Sequence, residues 1–212
     1  MMKRLIPILA CWFFVAPVMA QSTLTDRMIE NLASTQTLFA DFVQTTAAKS
    51  ARVKTLHGSF WIAKPGLLRW EVKKPYPQLQ VLNRKEFWMY DPDLAQASVR
   101  TIESANLTGI AALLLNTNNL SRDELLQRYS FEEQGTSDGL HWIRVVPRKP
   151  ETGMVSLRVG VDSEATMRRF EIVDNLGQMT QVSLLGLLKN TAIDARLFQF
   201  TPPKGVNVLR AN

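Results

Sequence analysis

The sequence predicts an α+β fold in which one antiparallel sheet carries most of the chain. Three observations lead there. Short segments of alternating apolar and polar residues recur along the chain, separated by Pro, Gly, Asn and Asp turns. Helical spacing appears only near the N-terminus and in the middle. Strands never alternate regularly with helices, so parallel βαβ units are excluded. About ten or eleven strands are expected by this reading.

The elements follow in order. Thr23 is a candidate N-cap with Asp26 three residues on. Leu24, Met28 and Leu32, with Ile29 beside them, put one apolar stripe on a helix over 23–36. Strands follow at 38–46 and 56–62. Pro65-Gly66 makes a tight turn. Leu68, Trp70 and Val72 alternate with Arg69, Glu71 and Lys73, as in a half-buried strand. Pro75 and Pro77 end it, and segments 78–82, 86–90 and 96–102 continue the meander. From Leu107 the pattern becomes helical, with Ile110, Leu113 and Leu114 on one stripe. Ser121-Arg122-Asp123-Glu124 reads as a capping box for a further short helix. Strands are then expected at 129–134, 140–147, 154–161, 166–173, 178–188 and 197–201, with hairpin turns at Asp138-Gly139 and Asn175-Leu176-Gly177. No low-complexity tract or flexible linker interrupts this pattern, so residues 21–212 are expected to form a single domain.

Residues 1–20 read as a secretory signal peptide. Lys3 and Arg4 precede an apolar run from Leu5 to Val18, and Val18-Met19-Ala20 is a small-residue cleavage site. The run holds Pro7 and Pro17 and is shorter than the roughly 20 residues that span a bilayer. The only cysteine, Cys11, lies inside this leader, so the exported chain must be stable without disulfides. Losing the two charges of Lys3 and Arg4 lowers the formal net charge from +6 to +4. That modest excess, with export, argues against a nucleic-acid partner.

Catalytic and metal signatures are missing. His57 and His141 stand alone in their strands, and no cysteine or paired histidine completes a ligand set, so no metal site or cofactor is expected. Nucleophile-elbow, zinc-protease and phosphate-loop motifs are absent. An enzyme is not expected.

Four stretches carry a resemblance. They are Phe39-Ala40-Asp41-Phe42-Val43-Gln44, the run from Gly58 to Glu71, the run from Phe87 to Gln96, and Phe198-Gln199-Phe200-Thr201-Pro202-Pro203-Lys204-Gly205-Val206. In their order and spacing they resemble the LolA family of periplasmic carriers of outer-membrane lipoproteins. The resemblance implies an incomplete, unclosed antiparallel barrel covered by a helical lid. It also implies a monomeric chaperone in the periplasm that takes acylated lipoproteins from an inner-membrane LolCDE-type ABC complex and passes them to an outer-membrane LolB-type receptor. Each methylene kept from water is worth ~0.8 kcal/mol, so such a carrier needs a concave apolar surface and no covalent step. An envelope-stress sensor of the same fold is the alternative.

Phe42, Phe60, Leu68, Trp70, Trp88 and Tyr90 are then candidates to line a lipid cavity, with Ile110, Leu113 and Leu114 as the underside of the lid. Ordinary sheet core is the competing reading, because alternation alone leaves the inward face undecided. The resemblance also singles out Lys64, which stands before Pro65 where the family places a lid-tethering arginine. Lysine keeps the charge and loses the forked donor geometry. Arg69 is the expected substitute or helper for this latch.

Overall fold

The computed structural model describes residues 22–47, 53–101, 121–149, 156–174 and 176–211. Helix α1 spans Leu24–Ser34 and helix α2 spans Arg122–Arg128. Both begin as their sequences dictate. The Thr23 hydroxyl accepts from the Asp26 amide while the Asp26 carboxylate accepts from the Thr23 amide. Ser121 and Glu124 repeat that reciprocal box on α2. Two otherwise orphaned amides are satisfied at each helix start.

Among the described residues, twelve strands form one sheet. They are β1 (Thr37–Ala47), β2 (Lys54–Ala63), β3 (Leu67–Lys74), β4 (Gln78–Asn83), β5 (Glu86–Asp91), β6 (Gln96–Thr101), β7 (Tyr129–Ser137), β8 (Leu140–Pro147), β9 (Ser156–Val161), β10 (Met167–Val173), β11 (Met179–Lys189) and β12 (Asn207–Ala211). The order across the sheet is β12-β6-β5-β4-β3-β2-β1-β11-β10-β9-β8-β7. The two end strands do not pair with each other, so the barrel stays open. β1 is the hinge of the topology, since it pairs with β2 on one side and β11 on the other and joins the two meanders.

Two expectations need correction. The chain makes no strand at 197–201. It makes a 3₁₀ turn over Ala195–Phe198 and then crosses the outer face of the sheet. The alternation there has another cause: Phe198 is buried, and Phe200 packs on Trp88 and Tyr90. Pro202 and Pro203 lack the N–H groups that a ladder needs. The missing strand is β12, which pairs with β6 in parallel, so the sheet is not wholly antiparallel. Ile110, Leu113, Leu114 and Asn175 lie outside the described residues.

The core lies on the face that α1 covers. Met28, Ile29 and Leu32 of α1 and Leu125 of α2 join Leu38, Ala40 and Phe42 of β1, Phe60 and Ile62 of β2, and Val159, Phe170, Val182 and Leu184 from the far half. A second, smaller cluster sits on the opposite face. There Val81, Trp88, Ala97 and Val99 are covered by Phe200, Val206 and Val208.

Candidate functional site

The inner face of β1–β3 holds an aromatic stack. The rings of Phe42 and Trp70 lie 4.1 Å apart and stacked, and Phe60 lies 5.4 Å from Trp70. Phe42 and Trp70 are not on adjacent strands. Between them, opposite Phe42 in the register, stands Gly58 of β2. A Cβ there would fall 2.6 Å from Phe42 Cζ and 2.0 Å from the Glu71 carbonyl oxygen. Glycine therefore lets the Phe42 ring lie across β2 and reach Trp70. Leu68 is buried two residues before Trp70, on the same face.

Trp88 and Tyr90 do not join this group. The register aligns Phe87 with Leu82, which is in the inner core, so the alternate residues Trp88 and Tyr90 face outward. There they hold Phe200, with ring centroids at 5.5 and 5.2 Å. Trp61 is likewise outward, 5.3 Å from Phe39, beside a surface groove of about 310 Å³ that Leu188, Ile193 and Leu197 complete.

Helix α1 packs its Met28, Ile29 and Leu32 into the core that also holds Phe42 and Phe60, and it is clipped at both ends. At its C-terminus Lys64 Nζ donates to the Leu32 carbonyl at 2.8 Å. That carbonyl belongs to the last turn, where helix carbonyls lack intrahelical donors, and α1 has no basic residue of its own there. A half-buried ammonium from the β2–β3 turn supplies the cation that the helix end favours. Burial pushes the Lys64 ammonium below its usual range. The Lys64 amide also donates to the Gln36 carbonyl at 2.8 Å, and Asn31 Nδ2 donates to the Ala165 carbonyl at 3.2 Å. At the N-terminus the Arg122 guanidinium bonds the Asp26 carboxylate and holds it below the usual carboxylate range, with Thr23 adding to the effect. Thr25 donates to Glu133 at 2.9 Å. Beside Lys64 and the end of α1, the gap lined by Leu32, Leu38, Ile62 and Met167 measures about 20 Å³, room for about one water.

Arg69 lies elsewhere. It is on the outward face, where it bonds Glu71 at 2.9 Å and the Leu197 carbonyl at 3.4 Å. It braces the C-terminal crossing rather than α1. The clips Asp26–Arg122 and Asn31–Ala165 were not legible in the sequence, because each joins residues about a hundred or more positions apart. The glycine under Phe42 had a signal: Gly58 breaks the Leu56–Ile62 alternation, and an isolated strand glycine marks a close approach.

One further cluster has the residue types of a nucleophile and its base. Lys73 Nζ donates to Ser59 Oγ at 2.7 Å, and Ser59 bonds Asp41. Ser59 is only 1% exposed, so no substrate reaches it, and the trio serves as a cross-strand polar brace. Among the described residues no group of three or more His, Cys, Asp or Glu side chains is arranged to hold a metal ion, and no helix is long and apolar enough to cross a membrane.

This chain is 33% identical to the outer-membrane lipoprotein carrier protein of Dechloromonas aromatica over 94% of each chain. It is 35% identical to the carrier protein of Methylococcus capsulatus over 94% of this chain and 93% of that one. Its fold matches the crystal structure of an uncharacterized conserved protein from Thermus thermophilus with a TM-score of 0.53, at 14% identity, over 89% of this chain and 97% of that one. The family model for the outer membrane lipoprotein carrier protein LolA matches residues 33–201, and the chain therefore belongs to the LolA family.

Proposed function

We propose that the protein is a non-enzymatic periplasmic carrier of outer-membrane lipoproteins, which shelters their acyl chains between the inner face of the sheet and the helices above it. The observation that carries this reading is the Lys64–Leu32 bond, which holds α1 on the apolar core that contains Phe42 and Phe60. Reversible polar clips over an apolar face are what a carrier needs. Closed, they keep that face from becoming an aggregation-prone patch. Opened, they expose it at a cost of a few kcal/mol, so both states are visited. Phe42, Phe60, Leu68 and Trp70 line the site in this reading, and Lys64 is its latch. Trp88 and Tyr90 instead seat the C-terminal crossing, and Arg69 braces it.

The donor in this scheme is an inner-membrane LolCDE-type ABC complex and the acceptor is a LolB-type receptor, with the carrier working as a monomer. Export follows cleavage after Ala20, so the mature chain starts at Gln21. The test is mass spectrometry of the protein purified from the periplasm. Acylated lipoproteins should accompany it, and its N-terminus should be Gln21. Hydrolysis of an acyl ester, at a rate abolished by one Ser or His substitution, would overturn the carrier reading.

A further inference from the structure

The two ends of the sheet are built differently. Register places the β3–β4, β5–β6 and β10–β11 connections and the start of β2 at one end. Each presents a large apolar side chain to solvent. Leu176 is 85% exposed, Tyr76 70%, Leu94 69% and Val53 57%. The turns at the opposite end are Lys64–Gly66, Arg84–Lys85, Asp138–Gly139 and 162–166, and among the described residues none carries an exposed large apolar side chain.

The apolar tips are held in place. The Asp91 carboxylate accepts from the Leu94 amide at 3.2 Å, and the next residue, Ala95, is left-handed. The β10–β11 turn repeats the device: the Asp174 carboxylate accepts from the Leu176 amide at 2.9 Å, and Gly177 is left-handed. Pro75 and Pro77 restrict the backbone on either side of Tyr76. Among the described residues of the β5–β6 and β10–β11 turns, the Asp91 and Asp174 carboxylates are thus used inside the turns, which leaves Asp93. Exposed lysines stand among the tips: Lys54 beside Val53, Lys74 before Tyr76, Lys149 after β8, and Lys204 in the turn before β12.

We propose that this end docks on the surface of an anionic lipid bilayer. Leu94, Leu176, Tyr76 and Val53 enter the headgroup boundary, while the lysines meet lipid phosphates. Short apolar tips flanked by cations suit a surface that is oily beneath and anionic above. A neutral protein partner would give these four lysines no counter-charge. Docking goes beyond the carrier reading and does not require it, since the tips are separate from the Phe42–Trp70 stack.

The full chain, expressed with its own leader and purified as the cell processes it, is floated with vesicles of phosphatidylethanolamine and phosphatidylglycerol, and with phosphatidylcholine vesicles. It should bind the anionic vesicles and weaken with salt. The double variant Leu94→Asp, Leu176→Asp should bind about tenfold or more weakly with an unchanged thermal midpoint. The variant Leu185→Asp, Leu188→Asp, on the outer strand face, should bind as the wild type does. A dye on Leu176→Cys should shift to the blue with anionic vesicles, and one on Asp138→Cys, at the other end, should not. Equal binding by both double variants, a shift at both ends, or self-association in place of vesicle binding would overturn the proposal. Cargo transfer is read separately, so its loss with intact docking would count against the carrier reading alone.

Discussion

Replacing Lys64 by Met removes the Nζ donor from the Leu32 carbonyl and leaves the chain stem in place. A hydrogen bond to a charged group contributes ~1.5–3 kcal/mol, and an acceptor left unmet costs about as much. Part of that gain is already offset, because burial disfavours the Lys64 ammonium, and Met carries no such penalty. We expect a net loss of about 1–2 kcal/mol in the closing of α1, or roughly 5–30-fold in its open-to-closed ratio. Hydrogen exchange read by mass spectrometry should show faster exchange across 28–34 and unchanged exchange in β9–β11. A long-chain fluorescent probe should bind at least as tightly and leave more slowly to an acceptor. Lys64→Arg keeps a donor for Leu32 and should restore protection. The pH dependence has a definite sign. The folded ammonium loses its proton at lower pH than the unfolded one, so between that value and 10.5 the unfolded chain binds more protons and wild-type stability rises with pH. Lys64→Met should lack this rise. Unchanged α1 exchange in Lys64→Met, with probe release at the wild-type rate, would refute the latch.

Other outcomes follow from the packing and from the cap of α1. Gly58→Ala should destabilise the chain by ~1–3 kcal/mol or more, seen as a lower thermal midpoint, because its Cβ meets the Glu71 carbonyl and the Phe42 ring; adding Phe42→Leu should recover only part, since the carbonyl clash remains. Asp26, held below its usual range by Arg122 and Thr23, contributes stability above pH 3.8 that is lost as pH falls through its folded value. Asp26→Asn should blunt acid unfolding, and Thr23→Ala should cost about 1 kcal/mol by urea titration. Phe200→Ala should cost ~1.5–3 kcal/mol and loosen β12, with faster amide exchange over 207–210 and the aromatic stack of Phe42 and Trp70 unaffected.

Much of the fold was legible residue by residue. Thr23 and Ser121 announced their helices because a capping box is a local device, complete within four residues. The alternation of Leu68, Trp70 and Val72 announced β3 because side chains on a strand have period two. Leu38 to Thr46 announced β1 but not its two partners, since pairing depends on residues far along the chain. The resemblance to carrier proteins rested on whole stretches and matched the family that the full-length relatives show.

What tertiary structure alone decided was direction. Phe60 and Trp61 are equally apolar neighbours, and nothing local says which one turns toward α1; the β1–β2 register settles it for Phe60. Trp88 and Tyr90 look as much like a lining as Trp70 does, and they face outward because Phe87 is the residue aligned with Leu82. Lys64 was singled out by its place before Pro65, yet its partner, a backbone carbonyl thirty-two residues earlier, has no sequence signature because every residue carries a carbonyl. The apolar tips at one end of the sheet were in the sequence as scattered turn residues. Only the antiparallel register, which sends alternate connections to alternate ends, gathered Tyr76, Leu94 and Leu176 on one side.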